Sequence, residues 1–249
     1  MSEFKFPTEV VELPSKGLLY PEGHPLAEGK IEMKYMTAKE EDILTNQNYI
    51  RQGTVIDKLL QSMIITKINF DDLLIADKDA IMLAARILGY GKDYIFTYRG
   101  KEVTVDLTSL KEKTLDESLI KTPKVNEFSF TLPSTGNEIT FKLFTHGDDK
   151  KVDAELEGLK KINSKDIPEI STRLKHMILS VNGNRDPKTI REFVDNAFLA
   201  RDARAFREYV NKISPGIDLK FDYVDEDGNV EEGVTLPIGI NFFWPDAWL

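Results

Sequence analysis

The sequence predicts an α+β fold in which small helical bundles are interleaved with three β-hairpins, led by an extended N-terminal arm and closed by an aromatic C-terminal tail. Three observations predict it. Apolar residues recur at helical spacing in two separate blocks. Three stretches read as an aromatic strand, a Gly-containing turn and an alternating strand. Prolines and glycines crowd the beginning of the chain, while Phe and Trp supply four of its last eight residues.

Residues 1–30 read as the arm. Pro7, Pro14, Pro21 and Pro25 fix φ and remove backbone donors, and Gly17, Gly23 and Gly29 punctuate the segment. Ile31–Tyr35 alternates apolar and polar residues, which predicts a short strand. Thr37 followed by Glu40 is a capping-box pattern, and it opens a helix expected to run to about Ile50. A second helix starts at Gly53 or Thr54, with Val55, Leu59 and Met63 beside Ile56, Leu60 and Ile64 on one face. Asp77 is the expected cap of a third helix, with Ile81, Ala84, Ala85 and Leu88 on its apolar side and Gly89 as its stop.

The period then changes. Tyr94–Tyr98 and Val103–Leu107 around Arg99-Gly100-Lys101 form the first expected hairpin. Phe128–Leu132 and Ile139–Leu143 around Ser134-Thr135-Gly136-Asn137 form the second. Leu219–Val224 and Val230–Leu236 around Asp227-Gly228 form the third. Between the last two lie four expected helices. One runs from Asp148 or Asp149 to Ile162, one over Ile167–Leu179, one from the Asp186-Pro187 cap to Ala200, and one over Asp202–Ile213. A boundary near Lys121-Thr122-Pro123 divides the body into residues 31–121 and 122–249, which also suit a single domain.

Composition narrows the function. The chain has 249 residues, 41% hydrophobic and 30% charged, enough apolar surface for a packed core. Its net charge of −9 argues against general binding of nucleic acid or anionic membranes. No apolar run approaches a membrane span, and the beginning lacks the pattern of a signal peptide. Without cysteine, neither a disulfide framework nor a thiolate metal site is available.

Chemistry-bearing patterns are sparse. The three histidines, His24, His146 and His176, form no helical metal pair. His146 with Asp148 and Asp149 is the best local candidate for acid–base work, against the plainer reading that Asp148 caps the following helix. His176, lone on a helix, is the weaker candidate. The acidic run Asp225–Asn229 with Glu231 and Glu232 lacks the calcium-loop spacing and reads as a hairpin tip. Phosphate-loop and nucleophile-elbow patterns are missing; Gly89-Tyr90-Gly91-Lys92 follows a helix rather than a strand. Arg185, Lys188, Arg191, Arg201, Arg204 and Arg207, interleaved with Phe193, Phe198 and Phe206, resemble a nucleic-acid face. Nearby Glu192, Asp195, Asp202 and Glu208 nearly balance them, which favours ion-paired helices. No catalytic, cofactor-binding or metal residue is therefore assigned.

The sharper signals lie at the two ends. Leu13, Pro14, Leu18, Leu19 and Tyr20 in the arm, and Phe242, Phe243, Trp244 and Trp248 in the tail, are the candidate partner-binding residues. Burial of these ends in the chain's own core is the equal alternative, because aromatics serve interiors and interfaces alike.

On these segments the chain resembles the baseplate hub and hub-assembly proteins of T-even-type contractile-tailed bacteriophages. The resemblance rests on Leu13–Pro21, Met36–Leu44, Gly53–Leu60, the Tyr94 hairpin and Phe242–Pro245, in that order. It implies a late protein made in the host cytoplasm that helps build the central hub of the tail baseplate, as a virion part or as a chaperone. It implies hub and tail proteins as partners and supplies no catalytic residue to carry over; a second copy is a further candidate partner, and no nucleic acid, membrane or cofactor is expected. Some proteins of this look carry Cys pairs suggestive of zinc ribbons; here the hairpins must be held by packing and turns. Two other readings remain: a hub-associated hydrolase with its site near His146, and a nucleic-acid module on the Arg185–Arg207 helices.

Overall fold

A computed structural model describes residues 7–162, 167–225 and 228–243. Short helices alternate with small antiparallel sheets, so the class is α+β. Strand β1 (Thr8–Glu12) pairs with β2 (Lys30–Lys34), placing Val11 opposite Ile31. The segment between them is folded rather than extended, which corrects the expected arm. A Leu13 N–H bond to the Gly29 carbonyl (2.8 Å) closes it, and turns inside it use Leu13, Ser15, Gly17, Pro21 and His24 carbonyls. Two strands of this loop cross at Gly17 (φ 70°) and Gly29 (φ 70°). A Cβ on Gly17 would stand 2.4 Å from the Ala27 oxygen, and one on Gly29 2.5 Å from the Lys16 carbonyl carbon, so the crossing admits only glycine.

The helix predicted from Thr37 to Ile50 is two helices, α1 (Ala38–Leu44) and α2 (Gln47–Arg51). Asn46 separates them: its backbone is extended, and its side chain accepts the Asn48 and Tyr49 N–H groups. Helix α3 (Val55–Met63) follows as expected and buries Val55, Leu59, Leu60 and Met63. Helix α4 (Ile75–Tyr90) starts before Asp77 and runs through Gly89. Its stop is Gly91, whose φ of 82° lies in the region glycine favours.

The three hairpins are present. Strands β3 (Asp93–Tyr98) and β4 (Lys101–Asp106) turn at Arg99-Gly100, both with positive φ as a tight twisted turn requires. After a short strand β5 (Glu112–Lys113), strands β6 (Phe128–Thr131) and β7 (Glu138–Phe141) form the second hairpin. Helices α5 (His146–Ile162) and α6 (Glu169–Met177) lead to β8 (Ile178–Val181), which adds to β7. Helix α6 ends at Met177, short of the Leu179 to which the pattern predicts it. The ladder offered by β7 instead draws Ile178–Val181 into the sheet, where Ile178, Ser180 and Val181 are buried. Helices α7 (Pro187–Asn196), capped by Asp186, and α8 (Ala200–Ile213) cover this sheet. Phe206 of α8 meets Phe141 edge-on at 4.8 Å, and Tyr209 stacks on Phe130 at 4.7 Å.

Strand β9 (Gly216–Ile217) pairs with β5, which links the two parts of the body. Strands β10 (Lys220–Val224) and β11 (Val230–Thr235) form the third hairpin, and helix α9 (Ile240–Phe243) ends the described chain. Buried side chains from Leu13 to Phe243 form one continuous apolar cluster. The Lys121–Pro123 region is also tied back: the next residue, Lys124, bonds the Gly17 and Ala27 carbonyls through Nζ, at 3.1 and 2.6 Å.

Candidate functional site

The expected docking ends are largely interior. Leu13, Pro14, Leu19 and Tyr20 are buried, and Leu18 is half-buried against the same core. Ser15 Oγ and Tyr20 Oη donate to Asp77 Oδ2 at 2.6 and 2.7 Å, and the Ser15 N–H donates to Oδ1 at 3.0 Å. Tyr20 Oη in turn accepts the Leu74 N–H at 3.0 Å. Asp77 therefore fastens the loop to α4 from within the helix instead of capping it. Its burial outweighs these three hydrogen bonds and raises its pKa above the ordinary aspartate value. Phe242 and Phe243 are also buried, and Phe242 meets Tyr94 edge-on at 4.9 Å. The physical reason is local supply: α4 and β3 offer Phe242 and Phe243 an apolar seat within the same molecule. Docking by these side chains is corrected to core packing; Trp244 and Trp248 lie outside the described residues.

The His146 cluster does not converge. His146 is buried at the start of α5, with Phe70 edge-on to its ring at 4.8 Å. Nε2 lies 3.3 Å from Asp57 and Nδ1 lies 3.3 Å from Lys78 Nζ, while Lys78 and Asp57 pair at 2.6 Å. Burial, then the charge of Lys78, lowers the histidine pKa. Asp148 faces elsewhere: it bonds the Thr145 N–H at 3.3 Å and Lys142 Nζ at 2.7 Å, a reciprocal cap with Thr145. Asp149 pairs with Arg173 at 2.8 Å. Three neighbouring ionisable residues thus serve three different structural links. Asp57 and Lys78 carry no sequence sign of their role, since both are distant in the chain and set in ordinary helical patterns.

Four of the six basic side chains are ion-paired, not wholly as their spacing predicted, while Arg201 and Arg207 have no ion pair among the described residues. Arg204 pairs with Glu208 at 2.8 Å, and Lys188 reaches Glu192 at 3.8 Å. Arg191 instead crosses to Glu155 on α5 at 2.8 Å, and Arg185 crosses to Glu127. Glu155 also bonds His176 at 2.8 Å; the Arg191 bonds lead in holding its carboxyl at about 2. Asp195 is engaged by Lys175 at 2.6 Å. Asp202 is buried and accepts from Ser134 N and Thr135 Oγ1, fixing the second hairpin turn.

The first and third hairpins stack on one another through their aromatic faces. Phe221 meets Phe96 at 5.3 Å and Tyr98 at 5.9 Å, and Tyr223 meets Tyr98 at 5.0 Å, all edge-on. Glu231 fastens the stack at its rim by accepting from Arg99 at 3.0 Å. The two hairpins remain separate two-stranded sheets, so each strand keeps one edge without a ladder partner among the described residues. Their outward faces expose Ile95 and the cross-strand pair Val224 and Val230, at 54%, 57% and 58%. A groove between the β4 and β10 sides is lined by Val103, Thr104, Asp106, Lys220 and Asp222. This surface was legible in part: period-two alternation puts Ile95 and Val224 on the face opposite the aromatics.

Among the described residues no His, Asp and Glu group of three or more is arranged to hold a metal, and no helix is long and apolar enough to cross a membrane. Scans against protein-family models, curated proteins and solved structures return no match for this chain.

Proposed function

We propose that the chain is a non-enzymatic tail protein of a contractile-tailed bacteriophage that helps assemble, or forms part of, the central hub of the baseplate. Its partners are hub or tail proteins, and its working surface is the hairpin stack. The observation that carries this reading is the pairing of unladdered strand edges with exposed Ile95, Val224 and Val230 on one stacked unit. An extended segment of a partner gains main-chain hydrogen bonds at such an edge and apolar contact beside it. The ordered resemblance of Leu13–Pro21, Met36–Leu44 and Gly53–Leu60 to phage hub proteins supplies the kind of partner. The protein acts in the host cytoplasm during assembly, with the tail baseplate as its second location if it is retained.

The test replaces Ile95 and Val224 by Glu and Val230 by Lys, so that the cross-strand pair carries opposite charges. All three are solvent-exposed, so the melting temperature should stay within a few degrees. Capture of purified hub and tail proteins by the variant should fall at least tenfold. Undiminished capture by the folded variant would remove the hairpin stack from the proposal.

A further inference from the structure

A half-open cavity of ≈ 270 Å³ lies where the two parts of the chain meet. Its walls come from the first turn of α4, the chain just after β7, and helices α5, α6 and α8. Leu143, Phe144, Met177 and Val210 make most of it apolar, and Asp79 stands in the wall on α4. Asp79 is half-buried, and its carboxylate has no hydrogen bond or ion pair among the described residues. The cation in the wall, Arg173, is already held by Asp149 at 2.8 Å and by Glu169 at 3.5 Å. Arg173 is thus committed to two other carboxylates, and Lys78, the charge that acts on Asp79, is itself paired with Asp57 at 2.6 Å.

We infer that this cavity receives the side chain of a lysine or arginine from a partner protein, its stem against the apolar wall and its cationic head on Asp79. The volume falls just short of the roughly 300–1,000 Å³ of pockets that hold whole small molecules, and it suits one long side chain. Long basic side chains lay their methylenes on apolar surface while the head finds a carboxylate. The inference rests on the reading of this chain as a protein that works by protein contacts, and it places a second contact away from the hairpins. Burial raises the Asp79 pKa to about 6, with Lys78 opposing. The charged groups around it are Lys78 on α4, Asp149 on α5 and Arg173 on α6. A bound cation favours the ionised carboxylate, so binding should strengthen as pH rises through about 6.

The test titrates the full chain with N-acetyl-lysine methylamide, observed by methyl NMR at Leu143, Met177 and Val210. Saturable shifts are expected, at least fivefold tighter than for the neutral N-acetyl-norleucine methylamide. Asp79→Asn should erase that preference, and Val210→Phe, which fills the cavity, should abolish binding of both probes. Equal binding of the two probes to the native chain would overturn the inference. So would no saturable binding, an undiminished preference in Asp79→Asn, or binding of n-butylamine with exclusion of the capped lysine. None of these readouts depends on capture through the hairpins, so failure here and failure of the hub assignment are separate results.

Discussion

Glu40 shows how one residue can carry two kinds of information. Thr37 and Glu40 are spaced as a capping pair, and Glu40 does bond the Thr37 N–H at 3.0 Å. Its carboxylate also accepts from Thr37 Oγ1 at 2.6 Å, Ser62 Oγ at 2.6 Å and Lys34 Nζ at 2.7 Å, while fully buried. Burial pushes its pKa up, but these hydrogen bonds outweigh it and bring the value from 4.5 down to about 2. A depressed folded-state value means the stabilisation is whole above the ordinary glutamate pKa and is lost as pH falls through about 2. Glu40→Gln should therefore cost about 2–4 kcal/mol at neutral pH, because the buried carboxylate's charge-assisted hydrogen bonds from Lys34, Ser62 and Thr37 are lost or weakened. The gap between variant and native chain should narrow between about pH 4.5 and pH 2, as read from urea midpoints. A gap constant with pH would show that the charge on Glu40 is not what stabilises α1 against α3.

At the scale of elements, the loop Leu13–Gly29 sets the path of the chain through a crossing that only glycine allows. Gly17→Ala adds a Cβ against backbone atoms and forces an L residue to φ near 70°. The conformational cost is about 1–2 kcal/mol and the overpacking about 1–3 kcal/mol, so a total loss of about 2–5 kcal/mol is expected. Gly53→Ala is the control, with a φ of 67° and open space around the added atom. It should cost only about 1–2 kcal/mol. Chemical denaturation of the two variants side by side checks the difference. Equal losses would mean that the crossing relaxes easily and does not constrain the loop.

At the scale of the molecule, the core is continuous from the loop to the last described helix. Phe243 is fully buried at one end of the sequence, while Leu13 and Tyr20 are buried at the other. Phe243→Ala should cost about 3–5 kcal/mol. The loss should reach remote parts together: amides of β6–β8 and of the Leu13–Gly29 loop should show the same fall in hydrogen-exchange protection. Separate transitions would revive a boundary near Lys121–Pro123 and place the β5–β9 ladder as a weak bridge between two domains.

The sequence by itself determined the period, the caps and the turns. Helical stripes gave α3, α7 and α8, Asp186-Pro187 gave the start of α7, and Arg99-Gly100 gave the first hairpin. These depend on neighbours a few residues apart, whose relative positions the backbone fixes. Only the tertiary structure decided what the apolar ends cover, which cation meets Glu155, and why His146 and Asp149 part company. It also decided that Ile178–Val181 becomes a strand and that Asp79 is left facing a cavity. An apolar pattern states that a side chain must leave water, but the partner that takes it is chosen by packing across long stretches of chain. Ion pairs follow the same rule, because a charge accepts whichever opposite charge the fold brings within reach.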